Sequence, residues 1–102
     1  MAERVDAEGF EKALGSHLLL ADFYSDSCIP CKRLSPILAE LEEELEDVRF
    51  VKVNAVYETE LAEKNAIASM PTLIVFKDGA EAARLTGFKP KNEIKTAIEN
   101  VR

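Results

Sequence analysis

An α/β domain with a central mixed sheet and helices on both faces is the fold class this sequence predicts. Apolar runs of strand length alternate with stretches of helical periodicity, and parallel strands need helical crossovers to connect them. Asp78-Gly79 adds a two-residue hairpin signal, so the sheet should hold antiparallel neighbours as well. A chain of 102 residues, 47% apolar and 31% charged, is too short for two ordinary cores and too apolar for disorder. Residues 1–102 therefore read as one soluble domain with a three-layer α/β/α core, large enough to stand without metal or disulfide staples.

Taken in order, Asp6 can cap a first helix carrying Phe10, Ala13 and Leu14, with Val5 placed for a hydrophobic staple to Phe10 and Gly15 as the stop. Residues 18–24 form a continuous apolar run, the pattern of a strand covered on both faces, with one acid, Asp22, inside it. From Cys31 onward, Leu34, Ile37, Leu38, Leu41 and Leu45 recur at helical spacing, and Pro36, lacking an N–H, should bend that helix. Residues 48–53 have strand composition, and a helical stretch over 61–66 follows. Pro71 opens a strand over 72–77, and Asp78-Gly79 fits a type I′ turn that returns the chain through 80–86 to Gly87. Ile94, Ala97, Ile98 and Val101 then mark the inner stripe of a closing helix begun near Pro90. The acidic run 40–47 reads as the solvated face of the long helix, and His17 as a loop residue.

A net charge of −6 repels polyphosphates and anionic lipid, which counts against nucleic-acid and membrane roles. Residues 1–8 lack the apolar core of a signal peptide, and no later run approaches membrane-spanning length, so a cytoplasmic, reducing compartment is expected. There the two cysteines should serve chemistry. Cys28-Ile29-Pro30-Cys31 lies where a strand ends and a helix begins. Unpaired N–H groups and the positive end of the helix dipole favour a thiolate at Cys28, while Cys31, about one turn on, can attack a mixed disulfide. Zinc is a poor alternative, since a tetrahedral site needs four ligands and only His17 is left to join the cysteines. A structural staple closing so short a loop would contribute only about 2 kcal/mol. Two unrelated buried thiols are a third reading, which the Cys-x-x-Cys spacing in an α/β chain disfavours.

With those residues identified, the chain strongly resembles the thioredoxin family. Ala21-Asp22-Phe23, Cys28-Ile29-Pro30-Cys31-Lys32, Pro36, Met70-Pro71-Thr72, Phe76-Lys77-Asp78-Gly79 and Gly87 carry the similarity over almost the whole length. The resemblance implies a thioredoxin fold and reduction of protein disulfides by dithiol exchange. Cys28 would be the nucleophile and Cys31 the resolving cysteine. Burial of Asp22 should raise its pKa on physical grounds alone; the resemblance makes it the proton acceptor for Cys31 and makes Lys52 its partner. Pro71 would be an ordinary strand-opening proline on bare statistics, but the resemblance implies a cis bond beside the cysteines, with the Met70 backbone pairing to an extended substrate. Gly87 would line the same groove. No bound cofactor or metal is expected; electrons would come from a separate thioredoxin-reductase-type donor, since no Gly-rich dinucleotide fingerprint is present. The partners implied are protein disulfide clients, acted on by a monomer.

Three departures from the family pattern bear on the substrate face that the resemblance assigns to Ser27, Ile29, Pro30, Met70, Pro71 and Gly87. Ser27 stands where the family usually has Trp and Ile29 where it has Gly, while Tyr24 replaces a second Trp. The chain has no Trp at all. Such changes shift partner choice and reduction potential. Two other functions stay open from sequence: a more oxidising disulfide oxidase or isomerase, and a binding module whose thiols are dispensable.

Overall fold

The computed structural model describes residues 2–102, leaving Met1 outside. Leu18 and Leu20 enter one core and Leu19, Ala21 and Phe23 the other, the two-residue alternation of a strand buried on both faces. This strand, β2 (Leu18–Tyr24), is preceded by β1 (Glu3–Arg4) and α1 (Ala7–Ala13). It is followed by α2 (Ile29–Glu44), β3 (Arg49–Asn54), α3 (Thr59–Lys64), β4 (Thr72–Lys77), β5 (Ala80–Thr86) and α4 (Lys91–Val101). The sheet order is β1-β3-β2-β4-β5, with β3 parallel and β4 antiparallel to β2, so the mixed α/β sandwich predicted from sequence is what forms.

One core contains Leu34, Leu38 and Leu41 of α2 with Ile94 and Ile98 of α4; the other contains Phe10 and Ala13 of α1 with Leu61 of α3. Pro36 sits inside α2 without ending it. An interior proline costs about 3 kcal/mol, whereas each buried Leu of this helix contributes roughly 2, and three of them suffice to hold the helix through it.

Asp6 accepts a hydrogen bond from the Gly9 N–H at 2.8 Å, capping α1 as its sequence position implies. Asp78 (φ 51°) and Gly79 (φ 85°) both adopt the left-handed conformation of a type I′ turn. His17 lies in the neighbouring loop, its Nδ1 2.7 Å from Asp78 Oδ1.

Two features differ from expectation. The edge strand β1, paired in parallel with β3, was not foreseen; it is two exposed charged residues, and its stability comes from backbone pairing continued by the Val5 N–H to the Lys52 carbonyl at 2.9 Å. The helix expected over 61–66 instead runs Thr59–Lys64. Ala66 takes φ 54°, and the Ile67 and Ala66 N–H groups reach the Ala62 and Glu63 carbonyls at 3.0 Å each. That is a Schellman closure, formed here without the usual glycine because partly buried Ile67 packs back onto the core.

Candidate redox site

Because β3 runs parallel to β2 and β4 antiparallel, the end of β2, the end of β3 and the start of β4 meet at one end of the sheet. The chain leaves β2 at Tyr24, and Cys28 takes up extended geometry (φ −88°, ψ 108°) as the N-cap of α2. Its Sγ accepts the Cys31 N–H at 3.1 Å, and its carbonyl accepts the Lys32 N–H at 3.2 Å, the first turn of the helix. Sulfur thus fills the position that a Ser or Asp oxygen fills at an ordinary N-cap, where backbone donors and the helix dipole favour negative charge.

Cys28 and Cys31 are joined as a disulfide, with Cα atoms 5.2 Å apart. Cys28 is half-buried, whereas Cys31 is 3% exposed, so the first sulfur is the more accessible of the two. Ser35 donates to the Cys31 carbonyl at 3.3 Å. Cys28 Sγ lies 3.5 Å from the Met70 carbonyl oxygen; a disulfide sulfur has no proton to donate, so this is simple contact. It nonetheless puts the Met70 backbone against that sulfur.

The Met70-Pro71 peptide is cis, with Pro71 buried and Met70 half-buried. Gly87 (φ 85°) donates its N–H to the Pro71 carbonyl at 2.8 Å, extending the β4–β5 ladder one step beyond Thr72 and Thr86. On the other side Ser27, Ile29 and Pro30 lie at the surface, Ile29 69% exposed.

Asp22, Tyr24 and Lys52 project toward the α2 side, in step with Leu18, Leu20 and Phe50. Asp22 is 1% exposed, and neither carboxyl oxygen has a hydrogen-bond partner among the described residues. Burial pushes its pKa up to about 7, against a smaller downward pull from Lys52. Asp22 and Lys52 are register partners, yet the Lys52 ammonium lies 4.5 Å from the Tyr24 ring centre, over its face. Asp22, Cys31, Ser35 and Lys52 line a cavity of about 100 Å³, which is polar and roomy enough for water. The structure thus brings the sequence-predicted residues to one place.

Sequence reasoning missed Asn54, which is 3% exposed. Its Oδ1 accepts the Val56 and Tyr57 N–H groups at 3.0 and 3.2 Å, and its Nδ2 donates to Asp26 at 3.3 Å. The available signal was an Asn at the end of a strand, the start of an Asx turn. Among the described residues, no group of three or more His, Cys, Asp or Glu side chains is placed to hold a metal ion, and no helix is long and apolar enough to cross a membrane.

Comparison with known proteins agrees with this geometry. The thioredoxin family model matches residues 2–100. The chain is 42% identical over 94 residues to a thioredoxin of Chlamydia caviae, covering 92% of each chain, and 36% identical over 92 residues to a thioredoxin of Bacillus subtilis, covering 89% of this chain and 88% of that one. A Plasmodium falciparum thioredoxin structure superposes with a TM-score of 0.91 at 30% identity, covering 99% of this chain and 100% of the other. A mutant thioredoxin from Halobacterium salinarum gives 0.93 at 27% identity, covering 98% of this chain and 89% of that one. A disulfide between the N-cap of α2 and its first turn, in a fold and a sequence that thioredoxins match over nearly the whole length, places this chain in the thioredoxin family, as a thiol–disulfide oxidoreductase that reduces protein disulfides through Cys28 and Cys31.

Proposed function

We propose a division of labour in which Cys28 opens the client disulfide and Cys31 closes the reaction. In the reduced protein the Cys28 thiolate attacks one client sulfur, forming a mixed disulfide and expelling the other client sulfur as a thiolate. The Cys31 thiol then gives its proton to the Asp22 carboxylate and attacks Cys28 Sγ. The Cys28–Cys31 disulfide forms, the second client sulfur leaves as a thiolate that takes up a proton, and two electrons have passed to the client. The observation that carries this reading is the Cys31 N–H donated to Cys28 Sγ at the helix start, on the sulfur that is the more exposed of the two.

A carboxyl with a pKa of about 7 is near the ideal for exchanging a proton at neutral pH, and the cavity it shares with Cys31 offers the route. Lys52 acts on Asp22 through its charge. Met70 presents its backbone to an extended client, with Pro71, Gly87, Ser27, Ile29 and Pro30 completing the contact surface. Residues 1–102 work as one thioredoxin domain, a cytoplasmic monomer without bound cofactor. A separate thioredoxin-reductase-type protein restores the dithiol, so that the chain serves electron transport and cell redox homeostasis.

Insulin disulfide reduction with dithiothreitol tests the assignment. Cys28→Ser should abolish turnover, and Cys31→Ser should accumulate a client mixed disulfide. Turnover by Cys28→Ser equal to that of the wild type would refute it.

A further inference from the structure

Beside the reactive cysteine lies a hollow of about 180 Å³ lined by Ser25, Asp26, Ser27, Asn54, Val56 and Tyr57. Val56 is 56% and Tyr57 69% exposed, and with Ile29 they are the large hydrophobic side chains this surface leaves in solvent. They are held there. Asn54, itself buried, fixes the Val56 and Tyr57 backbone through its Oδ1 and the opposite wall, Asp26, through its Nδ2. The Arg4 guanidinium also lies 5.8 Å from the Tyr57 ring centre. The backbone beneath both side chains is thus tied to a buried residue.

We propose that this hollow is a docking site for an aromatic side chain of the protein-disulfide client, close in sequence to the client's attacked cysteine. The inference rests on the disulfide-reductase reading and deepens it by naming what the client must carry. The sheet order places the hollow, at the end of β3, on the side of Cys28 opposite to Met70-Pro71, at the start of β4. A client segment paired to the Met70 backbone with its sulfur at Cys28 therefore continues over Ser27 into the hollow. The chemistry selects an aromatic ring over an aliphatic chain. Val56 and Tyr57 offer apolar contact to the ring face, and the Asp26 carboxylate suits the electropositive ring edge.

The test uses disulfide-linked peptide pairs in which the residues flanking the attacked cysteine, before or after it, are Phe or Ala, with kcat/KM measured for each. In the wild type, Phe at one flank should be preferred by about tenfold, the scale of one partly buried aromatic contact. The preference should fall to near unity in Ser27→Trp, which fills the hollow from the protein's own side, and in the double variant Val56→Ser, Tyr57→Ser. Reduction of all peptides at equal rates by the wild type, or a preference that survives in both variants, overturns the docking site and leaves the reductase reading standing. Failure of the wild type to reduce any of the peptides takes down both.

Discussion

The Lys52 ammonium sits 4.5 Å from the centre of the Tyr24 ring, while Asp22, its register partner in the adjacent strand, keeps both carboxyl oxygens without a hydrogen-bond partner among the described residues. Strand pairing alone would have set Asp22 and Lys52 side by side. The aromatic face gives the ammonium another seat, worth up to about 2 kcal/mol when desolvated. Burial consequently outweighs the Lys52 charge, and the carboxyl stays protonated up to about neutral pH.

Asp22 should weaken the fold as pH rises. Its folded pKa, about 7, lies above the unfolded value of 3.8, so between those limits the folded state holds a proton that the unfolded state has lost. Stability then falls as pH climbs from about 4 to 7 and levels off above. Asp22→Ala should be more stable than wild type at pH 8 by about 4 kcal/mol, at 1.4 kcal/mol per pKa unit, and nearly equal to it at pH 4. Urea unfolding at the two pH values measures this.

The seat of Lys52 should set how far that carboxyl is raised. Lys52→Met removes a charge that pulls the Asp22 pKa down and should move its titration upward. Tyr24→Leu removes the ring, frees the ammonium to approach Asp22, and should move the titration downward. Carboxyl carbon NMR over the pH range reads both, and the activity profile should shift in the same directions.

Gly87 is needed for its backbone rather than for space. A Cβ there would meet nothing within 4 Å, yet φ is 85° and the N–H holds the Pro71 carbonyl. Gly87→Ala should cost about 1–2 kcal/mol from the left-handed conformation alone, with Gly87→Asn milder, as read from the denaturant midpoint at unchanged slope.

Most of the fold was legible because its elements advertise themselves through burial: the unbroken apolar run of β2, the leucine spacing of α2 and the Asp78-Gly79 turn all form where the pattern puts them. The exceptions are held by backbone geometry that side-chain pattern does not encode. Glu3 and Arg4 look like solvated residues and become a strand only because β3 offers an open edge, and Ala66 carries no mark of the positive φ that closes α3. At the site, Cys28, Cys31 and Asp22 could be read from residue type and context. Asn54 could be read only as the start of an Asx turn, since its bond to Asp26 joins loops remote in sequence, and the position of Lys52 over Tyr24 depends on a competition between partners that only the folded arrangement reveals.

Alkylation of the fully reduced protein by iodoacetamide, followed residue by residue across pH, tests most directly whether the start of α2 holds a reactive anion. Cys28 should react with a midpoint well below the value of about 8.5 of an ordinary cysteine, and buried Cys31 should lag behind it. Two thiols reacting in parallel with midpoints near about 8.5 would contradict this.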